Sequence, residues 1–477
     1  MAEPAALRTR VALWTVSLAM FCVQLDFFAL NLAVPHMAGD LHVSAVDLQW
    51  VVSGYMLSAG SLMIAAGRLG DILGRRRMLL AGVVLFGLTS LAGAVSSSAG
   101  LLVAFRVLQG AGAALIMPVG FALLTNVFPE DKRSQATGFA LAVAGIGTAV
   151  GPFVGGVLTQ WAGWRWVFLI NVPLAAATAL LALRVPESRD EKAPRSVDWP
   201  GLATVTAAIA ALTAAVDRSH AWGWASPRTL GLLAFGVVCF AAFTAVERRA
   251  AYPLVDLGLF RHRLYVAITV TGTVANTAAV VYLFVATLYL QQVRHLSPVD
   301  AGVVFLVPAT ATAVAGPLAG RLAERYKPLT VMAAATALGG VAVLVLAAVT
   351  ALSVYVLVLG VCGGALGLAY AFTTIGTQAV IRPERAGEAS GVTLTAMTTA
   401  GGMGMALAGS TLAGHTAPTS GALAFPLVIV AGACLVTAGG LAAVRRRTGL
   451  TTDVEGSRVT ECARQLSCRT PGAEAPG

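Results

Sequence analysis

A chain of 477 residues that is 57% hydrophobic and only 11% charged, with a mean hydropathy of +0.80, departs far from the roughly one quarter of charged residues found in soluble domains. Water cannot solvate most of its surface, which excludes an ordinary soluble enzyme or binding module. The net charge of +10 comes from basic residues scattered through short loops, so a lipid bilayer is the expected partner and nucleic acid is not.

Apolar stretches of about 20 residues, each able to cross a hydrocarbon core of roughly 30 Å, recur along the chain. They fall near 11–34, 48–67, 78–96, 101–127, 136–160, 166–184, 200–217, 229–246, 264–290, 298–320, 329–349, 352–380, 389–413 and 424–444. The runs lack the alternation of barrel strands, and a helix satisfies its own backbone hydrogen bonds in lipid. Fourteen spans of an all-α polytopic membrane protein are therefore predicted. Arg8 and Arg10 precede the first run and no small-residue cleavage site follows it, so it reads as a retained span. With both termini cytoplasmic, all but five of the 32 Lys and Arg residues lie inside; Arg165, Arg218, Arg228 and Arg294 fall outside and Arg106 within a span. Arginine far outnumbers lysine and alanine is abundant, a bias associated with high-GC bacteria, so the inner (plasma) membrane of a bacterium is the expected location.

Span one carries Gln24, Asp26 and Asn31. Asp26 is a carboxylate deep in an apolar run, costly unless it faces a polar cavity or a cation. It is a candidate proton carrier; the alternative is a fixed ion-pair strut between helices. The loop after span two reads GRLGDILGRRRML from Gly67 to Leu79 and contains Asp71, Gly74 and Arg75. The arginines satisfy the positive-inside pattern by themselves, while the Gly67, Asp71, Arg75 spacing also suits a cytoplasmic latch in which Asp71 faces a helix N-terminus and Arg75 an acid.

Span four holds Arg106, the only basic residue within a span, on one face with Gly110, Ala113 and Met117. A guanidinium stays charged and must find an acceptor: Asp26, directly or through water, or kinked backbone carbonyls. Span five reads GTAVGPFVGG, placing Gly147, Gly151, Pro152, Gly155 and Gly156 in one helix. Such glycines allow close backbone contact, either for packing alone or as a seal between two halves that limits leak.

The second part of the chain repeats the first. HVSAVD at 42–47 matches HLSPVD at 295–300, and GRLGD at 67–71 matches GRLAE at 320–324, both offset by 253; PEDKRSQATG at 129–138 matches PERAGEASG at 383–391. Ser44 and Ser297 can each cap a helix whose third residue is Asp47 or Asp300. Two six-helix bundles, 1–184 and 264–444, are expected around an inserted helix pair at 185–263, with a polar disordered tail at 445–477.

These motifs together resemble the major facilitator superfamily, and within it the fourteen-span drug:proton antiporters. GRLGDILGRRRML resembles the family's loop between spans two and three, LVAFRVLQGAGAA at 102–114 its span-four motif, and GTAVGPFVGG its antiporter-associated span-five motif. LDFFALNLAVP at 25–35 and WRWVFLINVP at 164–173 are similar to segments of the fourteen-span branch; Phe28 stands where that branch often has threonine. The resemblance implies proton-coupled efflux of amphipathic drugs or antibiotic-like molecules by alternating access, with Asp26 in a coupling or cation-recognition role. A facilitator or importer of a metabolite without proton coupling is the alternative.

Gln24, Asn31, Tyr55, Gln109, Met117, Asn276, Tyr282, Tyr289 and Gln378 are candidates to line a substrate cavity. Each could equally make a helix-to-helix hydrogen bond or packing contact, but apolar and aromatic walls with few polar groups suit bulky amphipaths. The partners expected are a small-molecule substrate, protons and the bilayer, with a monomer as the functional unit. No nucleophile and base pair, phosphate loop or Cys/His cluster is present, so no enzyme activity, cofactor or metal is expected.

Overall fold

A computed structural model describes residues 2–30, 33–43, 48, 50–189, 198–250, 253–323, 325–381, 385–412 and 420–448. The described residues contain helices and no strand. The long helices are α1 (Ala2–Leu30), α2 (Trp50–Leu73), α3 (Arg75–Ala94), α4 (Ala99–Val127) and α5 (Arg133–Trp161), followed by α6 (Arg165–Ala182), which is broken at Ile170. The series continues with α7 (Trp199–Trp222), α8 (Pro227–Glu247), α9 (Arg263–Leu288), α10 (Pro298–Ala323), α11 (Pro328–Leu346), α12 (Leu352–Val380), α13 (Ala386–Leu412) and α14 (Ser420–Thr448).

Thirteen of these helices are long and apolar enough to cross a membrane. The remaining one, α13, has 27 residues and packs between α2 and α9. Its threonines and glycines lower its hydropathy, and Thr393, Thr395 and Ser390 are buried.

Local sequence sets the helix ends. Ser98 accepts the Leu101 N–H at the start of α4, Ser226 accepts that of Thr229 before α8, and Ser297 accepts that of Asp300 before α10 while its hydroxyl donates to the Asp300 carboxylate. Ser44 and Asp47 lie outside the described residues.

The internal repeat is visible in packing. In the first half α1 packs on α4, α5 and α6, and α3 on α4 and α6; in the second α9 packs on α12, α13 and α14, and α11 on α12 and α14. Gly110 of α4 meets the Tyr55 carbonyl of α2 as Gly363 of α12 meets the Pro308 carbonyl of α10, and both pairs keep the 253-residue offset. His42 and His295, also 253 apart, are the two non-glycine residues with positive φ among those described, at 54° and 53°. One apolar cluster, including Met20, Phe86 and Phe121, runs on into the second half at Ile268, Met332 and Phe372, while another, with Val285, Leu359 and Cys434, lies within the second half.

The halves meet along two seams, α5 against α10 and α2 against α13. Helix α7 packs on both α2 and α13, and α8 packs on α7. Val205 of α7 and Phe243 of α8 share a cluster with Ile64 of α2 and Val392 of α13.

Candidate functional site

Span one presents different residues to two surroundings. Asp26 points into the first half and has no exposure, while Gln24 faces a central cavity. Three side chains bind the Asp26 carboxylate. Arg106 Nη1 donates to Oδ2 at 2.6 Å, Gln109 Nε2 to Oδ1 at 3.1 Å, and Asn171 Nδ2 to Oδ1 at 2.7 Å. Arg106 also donates from Nε to the Val51 carbonyl and from Nη1 to Gln109 Oε1. Its Nη2 has no partner among the described residues. The guanidinium lies over the Tyr55 ring, 4.3 Å from its centroid. Asn171 approaches Ser90 Oγ at 3.1 Å, and Ser90 donates to the Phe168 carbonyl. Helices α1, α2, α3, α4 and α6 thus converge on one buried ion pair.

Tyr55 separates this pair from the cavity. One lobe, of about 120 Å³, is lined by Gln24, Phe27, Phe28, Tyr55, Met56, Met63, Met117, Asn276, Tyr370 and Met397 among others. A second lobe of the same volume shares Gln24, Phe28, Met117, Asn276, Val280 and Tyr370 and extends to Thr148, Tyr282 and Gly367. Both halves supply wall residues, and none of the lining residues of either lobe is charged.

Of the residues expected to line a cavity, Gln24, Tyr55, Met117, Asn276 and Tyr282 do so. Gln109 does not: it lies on the face of α4 that carries Arg106 and is held in the Asp26 network. Tyr289 packs against Tyr355 with ring centroids 4.6 Å apart and donates to the Thr350 carbonyl. Gln378 accepts a hydrogen bond from Thr137 across the two halves at 3.0 Å. Asn31 lies outside the described residues.

Of the two roles open to the span-five glycines, packing and a seal between the halves, their contacts fit packing within one half. A Cβ on Gly147 would stand 2.6 Å from the Phe21 carbonyl, one on Gly151 2.7 Å from Phe28 Cβ, and one on Gly155 would land on the Ala29 main chain. Those glycines seat α1 inside the same half, and Gly156 is also buried. The contact between halves uses another face of α5, where Gly138 meets Gly316 and Gly145 meets Ala313, continuing to Phe153 against Gly302. Pro152 lies within α5 and leaves the Thr148 carbonyl without its helical donor.

At the cytoplasmic end predicted from charge, Gly67 is buried and Asp71 and Arg75 pair at 2.6 Å, each 1% exposed. Asp71 Oδ2 also accepts the Glu388 N–H at the start of α13, 3.3 Å away. The acidic partner of Arg75 is therefore Asp71 itself. Gly74 has φ +111°, and a Cβ there would sit 2.7 Å from the Glu187 carboxylate, which accepts the Arg76 N–H beside the first turn of α3. The segment after α8 joins this assembly: Asp256 N–H donates to Glu388 at 2.6 Å, and Arg385 bridges Asp256 and Glu388. Glu324, the repeat's counterpart, lies outside the described residues.

Asn171 and Ser90 are the site residues that sequence reasoning did not single out. For Asn171 a signal existed, because it is the asparagine of WRWVFLINVP and stands in an otherwise apolar span.

A model of the Major Facilitator Superfamily matches residues 16–406. The tetracenomycin C resistance and export protein of Streptomyces glaucescens is 37% identical over 412 residues, covering 84% of this chain and 75% of that protein. The cephamycin export protein CmcT of Amycolatopsis lactamdurans is 34% identical over 402 residues, 82% of each chain. The solved structure of the human organic anion transporter MFSD10 (TETRAN) is similar with a TM-score of 0.65 over 91% of this chain and 99% of that one; at 17% identity the likeness is one of fold.

Proposed function

The chain belongs to the major facilitator superfamily of multi-pass membrane transporters, and from that premise we propose that it exports amphipathic, antibiotic-like molecules in exchange for protons. The observation that carries the reading is the ion pair of Asp26 and Arg106, fully buried, one aromatic ring away from a cavity built by both halves. The relatives named for export or resistance supply the direction of transport.

In this reading Asp26 exchanges its charge-assisted bond to Arg106 for a proton. The freed guanidinium retains Val51 and Gln109 as acceptors and the Tyr55 ring as a platform. Any shift of Arg106 is then felt by Tyr55, which lines the cavity, so substrate and proton communicate without sharing a site. Alternating access is a rocking of the two halves about the α5–α10 and α2–α13 seams. Fourteen spans, cytoplasmic termini, a peripheral insert and a monomeric unit in a bacterial plasma membrane complete the proposal.

One observation favours a second reading. Three donors already satisfy Asp26, as they would in a fixed strut of an uncoupled facilitator. Vesicle transport under an imposed pH gradient separates the two: uphill export that collapses with the gradient supports coupling, and flux indifferent to it supports the strut.

A further inference from the structure

The chemistry that lines the central cavity names a substrate class. Gln24 on α1 and Asn276 on α9 line both lobes, one from each half. Asn276 Nδ2 donates to the Met397 carbonyl at 2.9 Å, and since a carbonyl can only accept, the amide orientation is fixed with Oδ1 left as an acceptor. Gln24 Nε2 donates to Thr148 Oγ1 at 3.0 Å. Its Oε1 takes no part in that bond. The hydrogen bonds that hold the two amides run through their nitrogens, and both side chains line the cavity. Tyr370 lines both lobes as well.

The cavity also lacks any countercharge. None of its lining residues is acidic or basic, and the nearby Asp26 carboxylate is matched by Arg106 behind Tyr55. An organic cation would lose its hydration there and meet no carboxylate. The remaining wall is methionine and aromatic, a polarizable surface that adapts to flat rings.

We infer that Gln24 and Asn276 are specificity-determining residues that grip the hydroxyl or N–H donors of uncharged, flat aromatic substrates from opposite halves, and that organic cations are poor ligands. The inference rests on the cavity being the substrate site of the export reading above. A molecule held by both amides is in contact with both moving bodies, so its donors report to the half that rocks as well as to the half that holds the ion pair.

The test uses the full chain in nanodiscs and three probes: trans-resveratrol, its trimethyl ether and ethidium. The ether keeps the rings but loses every donor, and ethidium keeps flat rings but carries a fixed charge. Equilibrium binding is expected to be about tenfold tighter for the phenol than for the ether, with ethidium weaker than both. Gln24→Leu and Asn276→Leu are each expected to weaken the phenol about five- to tenfold and to change the ether by less than about twofold. Equal binding of phenol and ether to the unaltered protein, tightest binding of ethidium, or binding of none of the three overturns the inference, and that comparison needs no variant to fold. Export from inverted vesicles is measured separately. The predicted binding pattern without export counts against the efflux reading alone, whereas ethidium export with no preference for the phenol counts against the recognition alone.

Discussion

Asp26 Oδ2 and Arg106 Nη1 stand 2.6 Å apart with neither side chain exposed, although 80 residues separate them in sequence. Breaking a buried pair by removing one partner costs about 3–5 kcal/mol, because the other charge is left without compensation. Removal of one member alone therefore tests stability together with function. The double change Asp26→Asn with Arg106→Gln is expected to recover much of the thermal stability lost by Asp26→Asn alone, as read by nanodisc melting. Strictly additive losses would mean that the pair is not a unit.

Asn171 holds the other oxygen of the same carboxylate at 2.7 Å from a third helix. Asn171→Leu fills a similar volume but removes a donor, at a cost of about 1–3 kcal/mol for the buried acceptor left short. Its melting temperature should fall, and substrate-induced proton release should be altered. Unchanged stability and unchanged proton release would remove Asn171 from the site.

Tyr55 has a hydroxyl with no partner among the described residues and a ring that carries the Arg106 guanidinium. Tyr55→Phe keeps the ring and should preserve coupled export. Tyr55→Leu loses a cation–π contact worth about 0.5–2 kcal/mol and should bind substrate with little proton release. Equal behaviour of the two variants in a proton-release measurement would contradict a relay through the ring.

The two glycine faces of α5 predict different failures. Gly155→Leu drives a side chain into the Ala29 main chain of the same half, so it should lower stability by about 1–3 kcal/mol or more. Gly145→Leu meets Ala313 of the other half, 3.2 Å from its would-be Cβ. It should leave each bundle folded and slow exchange in proteoliposomes. Loss of exchange without loss of stability in Gly155→Leu would return the seal to the GTAVGPFVGG face.

Asp40 lies outside the membrane helices, and its carboxyl is held below the usual carboxylate range, chiefly by a hydrogen bond from Arg165 and then by one from Trp164. A lowered folded pKa adds stability above the unfolded value of about 4 and loses it as pH falls through the folded value. With the side chain about half exposed, solvent screening keeps the effect small. Asp40→Asn should therefore leave the pH profile of export between about 5 and 8 unchanged; a displaced profile would show that a titrating group outside the membrane helices contributes to coupling.

The sequence made the repeated architecture legible because the same physical constraints occur twice. His42 and His295 share a rare backbone conformation, and Gly110 and Gly363 share a close helix approach, so the residue types recur at one offset. Asp26 and Arg106 stood out because charges in apolar runs need partners. Their contact was not legible, since periodicity gives the face of a helix but not its neighbour. The same limit applies to Gln109, assigned to the cavity by its span, and to the glycines of α5, whose spacing shows that something approaches closely without saying which helix it is.

Substrate-induced proton release tests the central claim most directly. Addition of a transported substrate to the purified protein in weakly buffered detergent should release protons, and the release should vanish in Asp26→Asn once its monodispersity has been verified. Asp26→Glu retains a titratable group and should release some. In proteoliposomes the Asn variant should still bind and exchange substrate but fail to accumulate it under an imposed pH gradient. Full proton release and uphill export by a monodisperse Asp26→Asn protein would contradict the account and return Asp26 to the role of a strut.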